Sequence, residues 1–243
     1  MDKAALLAKD HVVPFDTWVW EPYFSTNERM ELYYEGLQKA KIEWTDNFSK
    51  QNRYFSMQQM LHHVLKKGLM GDVAECGCWK GHSTYIISKI LTDFSFSGKF
   101  HVFDSFEGGL SNKNPEDKNL RKKQTEESIQ KEKEMFASTI EELKASTEGF
   151  DFIEIYKGWI PERFHEVDQN QFIFVHLDVD LYQPTLDSLK FFFPRLLKGG
   201  VIVLDDYALT QFPGAKKAVE EFLETVDVDL FYEVPLGSCF LIK

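Results

Sequence analysis

The sequence predicts an α/β protein built on a doubly wound, mostly parallel sheet. From residue 71 onward, short apolar runs that end in acids alternate with segments of helical spacing. Parallel neighbours need a crossover, and a helix is the usual one. The tail departs from that rhythm: "DLFYEV", "PLG" and "SCFLIK" read as two strands around a tight turn, hence an antiparallel hairpin that closes the sheet. A chain of 243 residues, 43% hydrophobic and with 22 Phe, supplies the core that such a sheet needs.

Residues 25–67 read as helical. "STNE" has capping-box form at Ser25 and Glu28, and "YFSMQQMLHHVLKKG" carries apolar positions at helical spacing until Gly68 ends it. Residues 1–68 are therefore expected to be a helical N-terminal extension packed on a core domain of residues 69–243. The strand candidates are "DVAECG", "KFHVFD", "DFIEIYKG", "FIFVHLD" and "GGVIVLDD". Between them, "HSTYIISKIL", "PTLDSLKFFFPRLLK" and "PGAKKAVEEFLETV" have helical spacing. Residues 111–148 interrupt the alternation with dense charge of both signs, which reads as a solvated helical insertion or as a lid over the site.

A net charge of -11 without a separate basic cluster argues against a nucleic-acid surface and leaves small ligands as partners. No apolar run approaches the roughly 18 residues of a membrane span, and "MDKAALLAKDHVVPFDTW" lacks the sections of a secretory signal. A cytoplasmic, soluble protein is expected. Three cysteines give no disulfide framework. Cys76 and Cys78 have no second pair to complete a metal site and read as small buried hydrophobes on one strand face.

In open parallel sheets, ligands bind beyond the carboxyl ends of the strands. Acids stand there at Glu75, Asp104, Asp178 with Asp180, and Asp205 with Asp206. If the last two strands are neighbours, four carboxylates converge. Two like charges about 4 Å apart repel by about 4 kcal/mol at an effective dielectric near 20, so either some are protonated or a cation sits among them. An oxygen-only ligand set suits a hard divalent ion such as magnesium. Taken singly, each aspartate could equally cap a helix or fix a turn, as Asp180 could before Pro184. His176 alternates away from Asp178 and reads as a core residue. The crossing "AECGCWKGHS" puts Gly77 and Gly81 between strand and helix, where small residues let a backbone approach a ligand. Asp104, 29 residues after Glu75, stands where an acid holds ribose hydroxyls in nucleoside-binding α/β folds.

In this order, "ECGCWKGHS", "FDSFEGG", "YKGWIPERF", "HLDVDLYQPTLDSL", "LKGGVIVLDDY" and "FPGAKKAVEEF" resemble the macrocin O-methyltransferase family, which comprises S-adenosylmethionine- and metal-dependent sugar O-methyltransferases. The likeness runs over roughly residues 70–225. It implies a Rossmann-like class I methyltransferase domain, with Glu75, Gly77 and Gly81 along the methionine part of the cofactor, Asp104 at its ribose, and Ser83 and Gly158 also at the cofactor. It further implies that Asp180, Asp205 and Asp206 hold Mg2+ or another hard divalent cation, with Asp178 as general base. His82 stands where the family tends to have a second small residue. The implied acceptor is a hydroxyl of a sugar or glycosylated small molecule in natural product biosynthesis, and a homo-oligomer is compatible with the resemblance. Two other acceptor chemistries stay open: methyl transfer to a catechol-like phenol, and an Asp-x-Asp nucleotide-sugar glycosyltransferase, which leaves Asp205 with Asp206 unexplained. Trp159, Tyr182, Tyr207 and Phe212 could form an aromatic wall for the acceptor.

Overall fold

The computed structural model describes residues 28–43, 46–107, 110, 114–118 and 125–243. Among the described residues, two helices precede the sheet, α1 (Glu28–Lys39) and α2 (Phe48–Lys66). The helical run expected over 25–67 is thus broken. Lys41 takes a left-handed φ of 53°, and Asn47 restarts the helix by accepting the Lys50 amide at 2.9 Å. Ser25, half of the expected capping box, lies outside the described residues.

The core then runs β1 (Asp72–Cys76), α3 (His82–Asp93), β2 (Phe100–Asp104), α4 (Glu126–Met135), α5 (Ile140–Ser146), β3 (Ile153–Lys157), β4 (Phe172–Leu177), α6 (Tyr182–Arg195), β5 (Leu196–Leu204), α7 (Pro213–Leu223), β6 (Leu230–Val234) and β7 (Ser238–Ile242). The strands form one sheet in the order β3-β2-β1-β4-β5-β7-β6, in which β7 runs antiparallel to both β5 and β6. Strand order reverses between β1 and β4, which opens a crevice at their carboxyl ends. The register there pairs Cys76 with Leu177 and Leu177 with Leu204.

The central strands β1 and β4 are buried on both faces, which explains why they are mostly apolar rather than alternating, with Glu75 and His176 as buried polar exceptions. One apolar cluster joins Met30, Tyr33, Met57 and Leu61 of α1 and α2 to Ile86 and Ile90 of α3 and to Val73 and Val102 of the sheet. The other joins Leu189 and Phe192 of α6 and Val219 of α7 to Ala74, Val175 and Ile202. The residues 184–198 expected as one helix stop being helical at Arg195, because Leu196 turns extended (φ -70°, ψ 132°) and starts β5. The two cysteines do not share a strand face as expected. Cys78 lies beyond the end of β1 and joins the cluster opposite to that of Cys76.

In the charged segment, α4 buries no residue, whereas α5 buries Leu143 and Ser146. A short 3-10 turn, Pro115–Asp117, places a buried Asp117 carboxylate against the start of α6, where it accepts the Tyr182 amide at 2.7 Å. Among the described residues, no helix is long and apolar enough to cross a membrane.

Candidate active site

Because β4 and β5 pair in register, the chain leaves both strands side by side. The Asp178 amide donates to the Cys76 carbonyl (2.9 Å) and the Asp205 amide to the Leu177 carbonyl (2.8 Å). Among the described residues, Asp178, Asp205 and Asp206 form a group in which one ligand oxygen from each lies within 4.8 Å of the others. This is not the expected trio of Asp180, Asp205 and Asp206. The strand ends at Leu177, and Asp180 takes a left-handed φ of 60°, so two-residue alternation does not predict where its carboxylate goes. Its amide instead donates to the Asp206 carboxylate at 2.9 Å.

Burial raises the pKa of Asp178 well above its ordinary value, and Asp205 and Asp206 raise it further. Asp206 is raised by burial and then by Asp180 and Asp205, and Asp180 by burial and then by Asp178 and Asp205. The counter-charge comes from α2. Arg53 donates to the Asp205 carboxylate and, at 3.1 Å, to the Asp205 carbonyl. Burial opposes its charge, yet Asp205, Asp206 and Asp178 together hold its pKa above the ordinary value. Lys50, one turn earlier and 8% exposed, is brought down to about 8 by burial and by Arg53, against the pull of Asp178 and Asp205. The Asp205 Oδ1 atom is buried without a hydrogen-bond partner. A buried carboxylate oxygen without a donor is costly, and three carboxylates in one place suit a hard divalent cation. The residues present therefore fit such an ion.

Beside this group, the β1–α3 crossing is built around Asp104. Its Oδ2 accepts the amides of Cys78 (3.0 Å) and Trp79 (3.1 Å), and its Oδ1 accepts the Phe106 amide (3.0 Å). Gly77 is at φ 81°, and a Cβ there would fall 1.9 Å from the Asp178 carbonyl oxygen, so only glycine lets the crossing run against the end of β4. Gly158 follows β3, and its amide donates to the Asp104 carbonyl at 3.0 Å.

These two sides line one cleft of about 720 Å³ that contains Gly77, Ser83, Asp104, Gly158 and all four aspartates. Glu75 and Gly81 are not part of its lining. Glu75 is fully buried on β1 between the Thr84 hydroxyl and His176 Nδ1 (3.0 Å), because its side chain points across the sheet rather than out of its end. His176 is likewise buried in the core. His82 lines the cleft, stacks on Tyr54 (4.4 Å between ring centroids) and lies 2.9 Å through Nε2 from the Tyr33 carbonyl. Of the four aromatics expected to form a wall, Trp159 and Phe212 line the cleft, while the hydroxyls of Tyr182 and Tyr207 donate to Glu221 and Glu233 outside it.

Sequence reading missed Lys50, Arg53 and Tyr54, all of which line the cleft from α2. A signal was present: a lysine stands on the same helical stripe as Tyr54, Met57 and Leu61, all buried, and a buried charge on such a stripe needs partners.

Residues 43–231 match the Macrocin-O-methyltransferase (TylF) family. The chain is 27% identical over 165 residues, 65% of its length, to the 8-demethyl-8-(2,3-dimethoxy-alpha-L-rhamnosyl)-tetracenomycin-C 4'-O-methyltransferase of Streptomyces olivaceus. It is 26% identical over 176 residues, 70% of its length, to the mycinamicin III 3''-O-methyltransferase of Micromonospora griseorubida. The alignments span 60% and 67% of those two relatives. The solved structure of the O-methyltransferase NovP has the same fold, with a TM-score of 0.66, 20% identity, and coverage of 86% of this chain and 88% of that one. The family match spans the crossing, both acid-bearing strand ends and the α2 residues that reach them, and on that ground the chain belongs to the macrocin O-methyltransferase family.

Proposed function

We propose that the protein transfers the methyl group of S-adenosylmethionine to a hydroxyl of a sugar or glycosylated small molecule, with a magnesium-type cation held by Asp178, Asp205 and Asp206. The observation that carries this reading is the meeting of that carboxylate group with the Asp104 crossing in one cleft. The sugar O-methyltransferases among the relatives support the acceptor class.

When bound, S-adenosylmethionine supplies an electrophilic methyl on sulfur, and the cation lowers the pKa of a hydroxyl oxygen that it holds. The chain's residues do the rest. Asp104, fixed by three backbone amides, keeps acceptor capacity for ribose hydroxyls. Gly77 and Ser83 bring main chain and a hydroxyl to the methionine end. Arg53 orients Asp205 and balances part of the cluster's charge. Asp180 lines the cleft but is not one of the three, so its carboxylate is assigned the proton that leaves the acceptor hydroxyl. Met135, Phe136 and Phe212 give the cleft an apolar side that excludes water.

Calorimetry with S-adenosylhomocysteine, together with turnover of a glycoside library followed by mass spectrometry, tests this. Binding of S-adenosylhomocysteine and methylation that stops in excess chelator are expected. Full turnover in chelator would remove the metal, and a thermal response to UDP-sugars alone would remove methyl transfer.

A further inference from the structure

The insertion is fastened to the crossing at three neighbouring residues. The Trp79 indole Nε1 donates to the Ala137 carbonyl at 3.2 Å, and Lys80 Nζ lies 3.1 Å from Glu142. At Gly81 (φ 88°) a Cβ would fall 2.3 Å from Ser146 Oγ and 2.8 Å from Leu143, so the lack of a side chain is what lets α5 rest on the start of α3. Ala137 sits in the joint between α4 and α5. The two residues before it, Met135 and Phe136, line the cleft, and the Phe136 ring lies 6.3 Å from that of Phe212, which precedes α7. On its other side Trp79 is held through its main chain. Its amide donates to Asp104, and its φ of 47° is one that a bulky residue adopts only where its surroundings impose it. One residue is therefore bonded through its backbone to the acid at one end of the cleft and through its ring to the wall at the other.

We propose that Trp79 is a positioning residue that makes the acceptor wall depend on the cofactor. The carboxylate assigned to the cofactor is the one that already holds the Trp79 amide, so occupancy of the Asp104 end tightens that backbone further, strengthens the indole's hold on Ala137 and sets Met135 and Phe136 in place. By linkage, an acceptor packed on that wall strengthens cofactor binding by the same factor. A single neutral hydrogen bond limits the coupling to about five-fold. This inference rests on the reading of the Asp104 end as the cofactor side. A purely structural indole bond would hold the wall equally with and without ligand, and that difference is measurable.

The experiment is amide hydrogen exchange of peptides covering residues 136–146 in the wild type, Trp79→Phe and Lys80→Ala. Each is measured free and with S-adenosylhomocysteine at ten or more times its own Kd from calorimetry. Phenylalanine keeps a ring and removes the N–H donor, whereas Lys80→Ala removes the ion pair to Glu142 and the ammonium 5.6 Å over the Trp79 ring but leaves the indole N–H and its acceptor in place. Ligand is expected to slow exchange about five-fold in the wild type and in Lys80→Ala, and to leave it unchanged in Trp79→Phe. Slowing that survives in Trp79→Phe, or that is lost in Lys80→Ala, overturns the assignment. So does a wild type that binds the ligand without slowing, a result that needs no variant to fold. A wild type that fails to bind S-adenosylhomocysteine at all removes the functional reading itself, which is a separate outcome.

Discussion

The two halves of the sheet's carboxyl edge carry the same residue type in opposite states. At the β2 end, Asp104 has three backbone amides and is complete as built. At the β4 and β5 ends, Asp178, Asp205 and Asp206 share their space with one another, Arg53 answers only part of their charge, and Asp205 Oδ1 has no donor. Carboxylates are stable where donors surround them and strained where neighbouring carboxylates outnumber the donors. The first arrangement suits an acid that orients a neutral ligand through its remaining lone pairs. The second suits an acid that needs a cation.

Substitutions can break this contrast. The largest effect is expected for Asp205→Asn, which removes one charge from the cation group. Turnover should fall on the order of 10²–10³-fold while S-adenosylhomocysteine affinity stays within about three-fold, read by mass spectrometry and calorimetry. Retained metal-dependent turnover would show that the two ends do not differ as described. Next, Arg53→Met leaves the buried acids with Lys50 as their remaining counter-charge from α2. In chelator, unfolding stability should drop by about 3 kcal/mol, equivalent to a Tm lower by roughly 6–12 °C, and added Mg2+ should restore much of it. A Tm loss that ignores Mg2+ would mean that Arg53 acts by packing alone.

On the other side, Asp104→Ala removes the acceptor for three amides. S-adenosylhomocysteine affinity is expected to weaken about 10–100-fold with Mg2+ binding retained, so calorimetric titration of both ligands separates the halves. The smallest effect concerns a donor-rich aspartate at the opposite edge of the sheet. Burial pushes the pKa of Asp72 up, but His101, the Lys99 amide and Asn170 outweigh it and bring it from 3.8 to about 2. A lowered folded pKa means that the stabilisation is complete above about pH 4 and is lost as pH falls toward 2. The stability difference between wild type and Asp72→Asn should therefore shrink by roughly 1–2 kcal/mol between pH 6 and pH 2.5 in urea titrations. A difference that is constant with pH would remove the linkage.

Much of the edge was legible in one dimension. Apolar runs that end in acids predict strands that aim carboxylates at a common rim, and "PLG" between two strands predicts the closing hairpin that β6 and β7 form. Glu75 shows where this logic stops. It sits in the same sequence pattern as Asp104, yet it is one residue short of the strand end and turns into the core toward Thr84 and His176. Roles within "DVD" were equally hidden, because alternation holds only while the backbone stays extended, and Asp180 at φ 60° does not.

By itself the sequence determined the order of strands and helices and which carboxylates stand near the sheet's carboxyl edge, because periodicity and strand ends are local properties of the chain. Only the tertiary structure decided which of those carboxylates face one another, that Arg53 reaches Asp205 across 152 positions, and that the insertion meets the crossing through Trp79. Those contacts arise from packing between elements far apart in the chain, and no local pattern encodes which distant side chain fills the space beside a buried charge.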